Sequence, residues 1–111
     1  DKTSAVSALW SAMSIPDSTI GATSSVLDFK DYSVLQLLGN TTNTGEAIYI
    51  EFSTDNVTYY RSSMHTICPN VTSGDFVVDY SNIACRYIRA AKDNTSGVSE
   101  TITLLAAVRK N

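Results

Sequence analysis

Charge is scarce in this chain, and the little present has no bias toward polyanions. Only 17% of the 111 residues are charged, eight basic against eleven acidic, for a formal net charge of −3. Nucleic-acid binding rests on several cations neutralising neighbouring phosphates together. The nearest approach to such a cluster is Arg86, Arg89 and Lys92, so nucleic acid is excluded as a partner. No apolar run approaches the roughly 20 residues that cross a bilayer. The longest is Leu104 to Val108, and no membrane partner is expected.

Histidine, cysteine and proline are nearly missing too, at one, two and two residues. A lone histidine, His65, no serine in a nucleophile-elbow pattern and no glycine-rich phosphate loop leave little from which to build an enzyme. The carboxylate pairs Asp28 with Asp31 and Asp75 with Asp79 read as solvated turn and strand positions rather than as a general acid and base. Two cysteines and one histidine fall short of a zinc set. No cofactor is expected, and the one ion with any motivation is a structural calcium near strand ends, where Asp28, Asp31, Asp93 and Glu100 offer oxygens without forming a dense ligand run. Cys68 and Cys85 either pair as a disulfide or stay as small buried thiols.

What is present is β-forming. Apolar residues make up 43% of the chain, and serine and threonine about a quarter. The stretch Glu46 to Arg61, EAIYIEFSTDNVTYYR, sets Ile48, Ile50 and Phe52 against Tyr49, Glu51 and Ser53 in a period of two. Thr54, Asp55 and Asn56 then turn the chain into the β-prone run Val57 to Tyr60, which predicts a hairpin. Ser24 to Phe29 reads as a strand with Val26 and Phe29 as the candidate inward residues. Tyr32 to Leu38 is apolar on both faces and reads as a central strand. Ser62 to Ile67, Asp75 to Tyr80, Cys85 to Lys92 and Ser99 to Arg109 follow at roughly ten-residue spacing. About eight short strands without a long helix predict an all-β, antiparallel β-sandwich of the jelly-roll type.

The first 16 residues are ambiguous. Ala5, Leu9 and Met13 fit a helical stripe, whereas Val6, Ala8, Trp10 and Ala12 alternate. The expectation over 1–16 is either an N-terminal arm or a lead-in strand with Trp10 in the core, ahead of a sandwich domain over 17–111. Leu9, Trp10 and Met13 are the candidate assembly residues of that arm, since an exposed apolar arm is costly without a partner.

Four sequons, at Asn40, Asn56, Asn70 and Asn94, each fall in an expected turn and are candidate glycosylation sites. Asn and Thr also favour turns for their own reasons, so both readings stay open. Tyr49, Tyr59, Tyr60 and Tyr87 offer aromatic faces either to a sugar or to cross-strand packing.

The run IYIEFSTDNVTYY resembles the hairpin of discoidin-like, galactose-binding-like sandwiches, and Arg86 to Ala90, RYIRA, resembles their late strand. Similar pairs occur in small structural proteins of tailed phages and large DNA viruses, and the resemblance spans roughly Asp28 to Lys110. Where the hairpin pattern has glycine after Asp55, this chain has Asn56, which fits a left-handed turn position. The resemblance implies a β-sandwich used as a building or coating module. The leading expectation is a non-enzymatic virion structural protein, such as a minor capsid, decoration, spike or fibre component. It would meet copies of itself and other virion proteins and reside on a virion or extracellular surface. Alternatives are a carbohydrate-binding module using Tyr59, Tyr60, Arg61 and Arg86, and a subunit of an extracellular filament built by strand donation.

Overall fold

The computed structural model describes residues 5–66, 74–81 and 83–110, with backbone alone at 63–66. Nine strands follow one another among the described residues: β1 (Ala5–Ile15), β2 (Thr19–Thr23), β3 (Leu27–Asp28), β4 (Val34–Thr41), β5 (Ile48–Ser53), β6 (Tyr60–Thr66), β7 (Asp75–Ser81), β8 (Tyr87–Asn94) and β9 (Glu100–Arg109). They form two sheets, β1-β9-β4-β7 and β2-β8-β5-β6, with β3 also on β8. Every pairing is antiparallel. The predicted all-β sandwich is therefore the observed fold.

Alternation in sequence becomes alternation in burial. Ile102, Leu104, Ala106 and Val108 of β9 meet Leu35 and Leu37 of β4 across the interior from Ile48 and Ile50 of β5 and Ile88 and Ala90 of β8, all of them buried. Each leucine, isoleucine or valine among them contributes about 1.5–3 kcal/mol on leaving water, and each alanine less, before conformational entropy is set against it. Gly39 lies where β4 runs tight against β9, and a Cβ there would collide with the Thr103 carbonyl.

Of the two readings of the N-terminal segment, arm or lead-in strand, residues Ala5–Ile15 follow the strand. As β1 it forms an edge of the first sheet, paired along β9 from Ala5 opposite Val108 to Ile15 opposite Glu100. Register shifts on either side of Trp10, with Ala12 at φ 46°, mark bulges. A bulge places consecutive residues on one side of a strand, which is how Leu9 and Trp10 both enter the core, 3% and 2% exposed, while Met13 is left 47% exposed. The strand around Val26 is corrected in part: Phe29 is buried as expected, but Leu27 is buried in place of Val26, which faces out, because β3 pairs with β8 through Leu27 opposite Ile88.

One end of the sandwich holds the β5–β6 hairpin, residues 54–59. Asp55 organises it, its Oδ1 accepting from the backbone N–H of Val57 (2.9 Å) and Thr58 (3.0 Å). These bonds hold its carboxyl below the usual carboxylate range. Asn56 takes φ 62°, the left-handed position anticipated for it.

The opposite end is held by buried polar groups. Lys92 Nζ lies 2.6 Å from Glu100 Oε2, with both side chains fully buried. This pair ties β8 of one sheet to β9 of the other, and the Thr41 hydroxyl donates to the same Glu100 oxygen. Lys92, grouped in sequence with Arg86 and Arg89 as the nearest approach to a cationic cluster, is thus interior. Asn94, also buried, donates to the carbonyls of Ile15 and Val98 at 2.9 Å each. Glu46 accepts from the backbone N–H and hydroxyl of Thr95, and these bonds, the hydroxyl's first, lower its carboxyl below the ordinary range.

Candidate functional site: an arginine and tyrosine face on the second sheet

The outward positions of β5, β6 and β8 are set by register. Glu51 stands opposite Arg61 on one side and Arg89 on the other, so three charged side chains share one rung of the sheet. Arg89 Nε donates to Glu51 Oε1 at 2.8 Å, and Arg61 donates to Oε2 at 3.3 Å. Each guanidinium also lies over a ring: Arg61 over Tyr49 at 4.4 Å and Arg89 over Tyr59 at 3.8 Å from the ring centroid. Such stacking contributes about 0.5–1 kcal/mol at an exposed site and more as water is removed. The Tyr59 hydroxyl donates to the Asn56 side chain at the hairpin tip. Partial burial raises the pKa of that hydroxyl, against the opposing pull of Arg89.

Two cations against one carboxylate leave this face with a local charge of +1 in a chain of net −3. Exposure is graded: the side chains of Arg61, Arg89 and Glu51 are 40%, 27% and 12% exposed. The charge is therefore presented on a platform of half-buried tyrosines. Nearby, Arg86 binds Asp28 through Nε and Nη2, both at 3.1 Å, and lies over Tyr87 at 5.1 Å. The Arg86 guanidinium holds the Asp28 carboxyl below its usual range.

Of the four residues expected to contact a glycan, Tyr59 and Arg61 join this face. Tyr60 stands opposite Phe52 in the register, on the inner side of β6 at the sheet edge, and is 71% exposed. Arg86 is committed to Asp28 beside the face. Glu51 and Arg89 were not singled out, although EAIYIEFS and RYIRA carry the signal, because both place a charge on the outward phase of a strand. Tyr49 and Tyr87 were named as aromatic faces, and both now lie under guanidinium groups.

The remaining expectations scatter. The candidate calcium ligands do not converge: Asp28 is paired with Arg86 near the hairpin end, Glu100 is taken by Lys92 at the other, and Asp93 accepts from the Gly21 N–H at 2.7 Å. No group of three or more His, Cys, Asp or Glu side chains is brought together among the described residues. The Asn94 sequon is corrected, since a buried amide donating to two carbonyls has no room for a glycan. Asn40 is exposed and donates to Asp75, Asn56 is exposed at the hairpin tip, and Asn70 lies outside the described residues. So do Cys68 and the side chain of His65, while Cys85 is a free, half-buried cysteine. It helps line a cleft of about 390 Å³ at the hairpin end, between Phe52 of one sheet and Tyr80 and Ser81 of the other.

The outer face of the first sheet has the opposite character. Ala8, Leu105, Leu38 and Val77 form one row straight across its four strands. Val6 and Ala107 extend it. Among the described residues of its strands, charge on this face is confined to Asp75 and Asp79 on the β7 edge, bonded by Asn40 and Gln36, and to Arg109 at a corner.

No protein-family model matches this sequence, and no curated protein matches it. Solved structures do. The chain is similar to CBM32-1 from a family 31 glycoside hydrolase of Clostridium perfringens, at 20% identity over 86% of this chain and 75% of that one, with a TM-score of 0.52. It is similar to the CBM32 of AlyQ, solved in complex with 4,5-unsaturated mannuronic acid, at 18% identity over 96% and 95% of the two chains and a TM-score of 0.52. It is also similar to the SPBc2 prophage-derived protein YomS, at 8% identity over 95% and 92% and a TM-score of 0.60. The class defined is the two-sheet antiparallel β-sandwich, a fold this chain shares with CBM32 modules and with the prophage-derived protein. At these identities the likeness is one of fold.

Proposed function

We propose that the chain is a non-enzymatic structural module of a virion, a minor capsid, decoration or fibre component that assembles with copies of itself through the outer face of the β1-β9-β4-β7 sheet. The observation that carries this reading is the uncharged row Ala8, Leu105, Leu38 and Val77, with Val77 62% and Val6 58% exposed. Four strands spaced about 4.8 Å apart and about eight residues long present roughly 500 Å². Two such faces in contact bury roughly 1,000 Å², the lower bound for a specific interface. The sandwich shared nearly end to end with a prophage-derived protein supports the virion setting.

The test is light scattering across a concentration series for the natural chain and for Leu38→Lys with Val77→Lys. The expected result is a dimer or larger species that the double substitution reduces to a monomer with unchanged circular dichroism. A natural chain that stays monomeric up to millimolar concentration overturns the proposal.

A second reading, carbohydrate binding, is favoured by the arginine and tyrosine face on the other sheet. It is supported by the fold shared with CBM32 modules. The two readings use opposite faces and are compatible in one molecule.

A further inference from the structure

Resting on the second reading, we propose that the Tyr49, Glu51, Tyr59, Arg61 and Arg89 face is a binding site for acidic saccharides, with the sugar carboxylate received by the two guanidinium groups.

The charge balance selects the class of ligand. Glu51 has both oxygens occupied, one by each arginine, so the rung retains one uncompensated positive charge. Among the described residues, the further carboxylate that acts on this face is Asp55, near the Tyr59 hydroxyl. Asp28 is bound to Arg86, and Asp93 follows four residues further along β8, about 13 Å away at the rise of an extended strand. Asp55 is turned into its own hairpin backbone. A neutral ligand would leave that charge uncompensated, whereas a carboxylate compensates it through charge-assisted bonds that are about twice as strong as neutral ones.

Geometry supplies the rest. Stacking on Tyr49 and Tyr59 and the bonds to Glu51 fix the planes of both guanidinium groups before any ligand arrives. Little side-chain entropy is then lost on binding, which is the usual penalty for recruiting arginine. Each tyrosine has one ring face taken by an arginine, so what it adds beside the charge is apolar ring edge, which suits the C–H groups of a pyranose ring better than a free inorganic anion. The site runs across β5, β6 and β8 on the outer side of a sheet, so it fits a chain lying along the sheet better than an isolated sugar.

The experiment records 15N–1H spectra of the whole chain, arginine Nε–H signals included, during titration with oligogalacturonate and, separately, with a neutral galactose oligomer of the same length. The proposal expects saturable shifts of the Arg61 and Arg89 Nε–H signals with the acidic oligomer alone, weakening as salt is raised. Arg61→Gln, at the more exposed of the two arginines, is expected to weaken binding about tenfold. Glu51→Gln, which raises the local charge to +2, is expected to tighten it severalfold, an outcome that a merely structural ion pair would not give. Equal or better binding of the neutral oligomer, or shifts confined to the hairpin-end cleft, overturns the acidic-sugar assignment while leaving glycan binding standing. No shift with either oligomer at millimolar concentration removes both. Equal shifts with an acidic peptide of the same charge show a site for anions at large and overturn the saccharide assignment.

Discussion

Replacing Lys92 with methionine tests how the sandwich tolerates an ion pair in its interior. Lys92 Nζ and Glu100 Oε2 are 2.6 Å apart with neither side chain exposed. At an effective dielectric of about 20 their attraction is about 6 kcal/mol. Removing two ions from water costs several kcal/mol each, so the net contribution of the pair is near zero. Removing one partner is different. Lys92→Met strands a buried carboxylate that already has Oε1 without a hydrogen bond, retaining only the Thr41 hydroxyl on Oε2. The expected loss is about 3–5 kcal/mol. Against a total stability of about 5–15 kcal/mol, a loss of that size lowers the melting temperature by about 15–25 °C. The double replacement Lys92→Met with Glu100→Met removes both charges and returns stability to within about 2 kcal/mol of the natural chain, the remainder being the Thr41 hydroxyl left without its acceptor. Urea unfolding followed by circular dichroism, run as a double-mutant cycle, measures all four corners. A single variant that loses less than about 1 kcal/mol, or a double variant whose loss equals the sum of the singles, refutes the reasoning.

Trp10→Ala is expected to cost about 3–5 kcal/mol by leaving a cavity under β9; an unchanged urea midpoint would show that β1 is detachable after all. Stability should also carry an acid limb. The carboxyls of Glu46, Asp28 and Asp55 all have folded pKa values below their unfolded ones. Their contribution is therefore complete above the ordinary carboxylate range and is lost as pH falls through and below about 4. Urea midpoints measured from pH 7 to pH 2 should be flat and then fall, and Glu46→Gln should reduce that fall.

Much of the architecture was legible because it depends on a local rule. Strands β5, β7 and β9 alternate cleanly, and in β5 and β9 the residues placed inward are buried or packed on the core. Legibility failed where the rule is broken by pairing. In β1 the bulges flanking Trp10 carry two adjacent residues inward, so neither a period of two nor a helical stripe fitted the segment. Around Val26 only two residues pair with β8, too few to reveal their phase. The site was half legible. Tyr59 and Arg61 could be named from a hairpin rich in aromatics, but Glu51 gains its importance only from Arg61 and Arg89 on neighbouring strands, ten and 38 residues away. Lys92 was unreadable for the same reason. Its partner Glu100 lies in the other sheet, and nothing in composition marks a lysine as interior.

The position of β9 has a kinetic consequence. The last strand in chain order lies between the first and the fourth, so the first sheet has a gap at its second place until residues 100–109 arrive. Until then the apolar sides of Leu9, Trp10, Leu35 and Leu37 face an incomplete interior, and two strand edges meant for β9 stand open. Pairings so distant along the chain close slowly, on a scale of milliseconds to seconds for sandwiches of this kind. During synthesis the first sheet therefore passes through an aggregation-prone interval while it lacks β9. Chaperone protection would matter most there, and truncation within β9 should yield insoluble chains rather than a smaller folded domain.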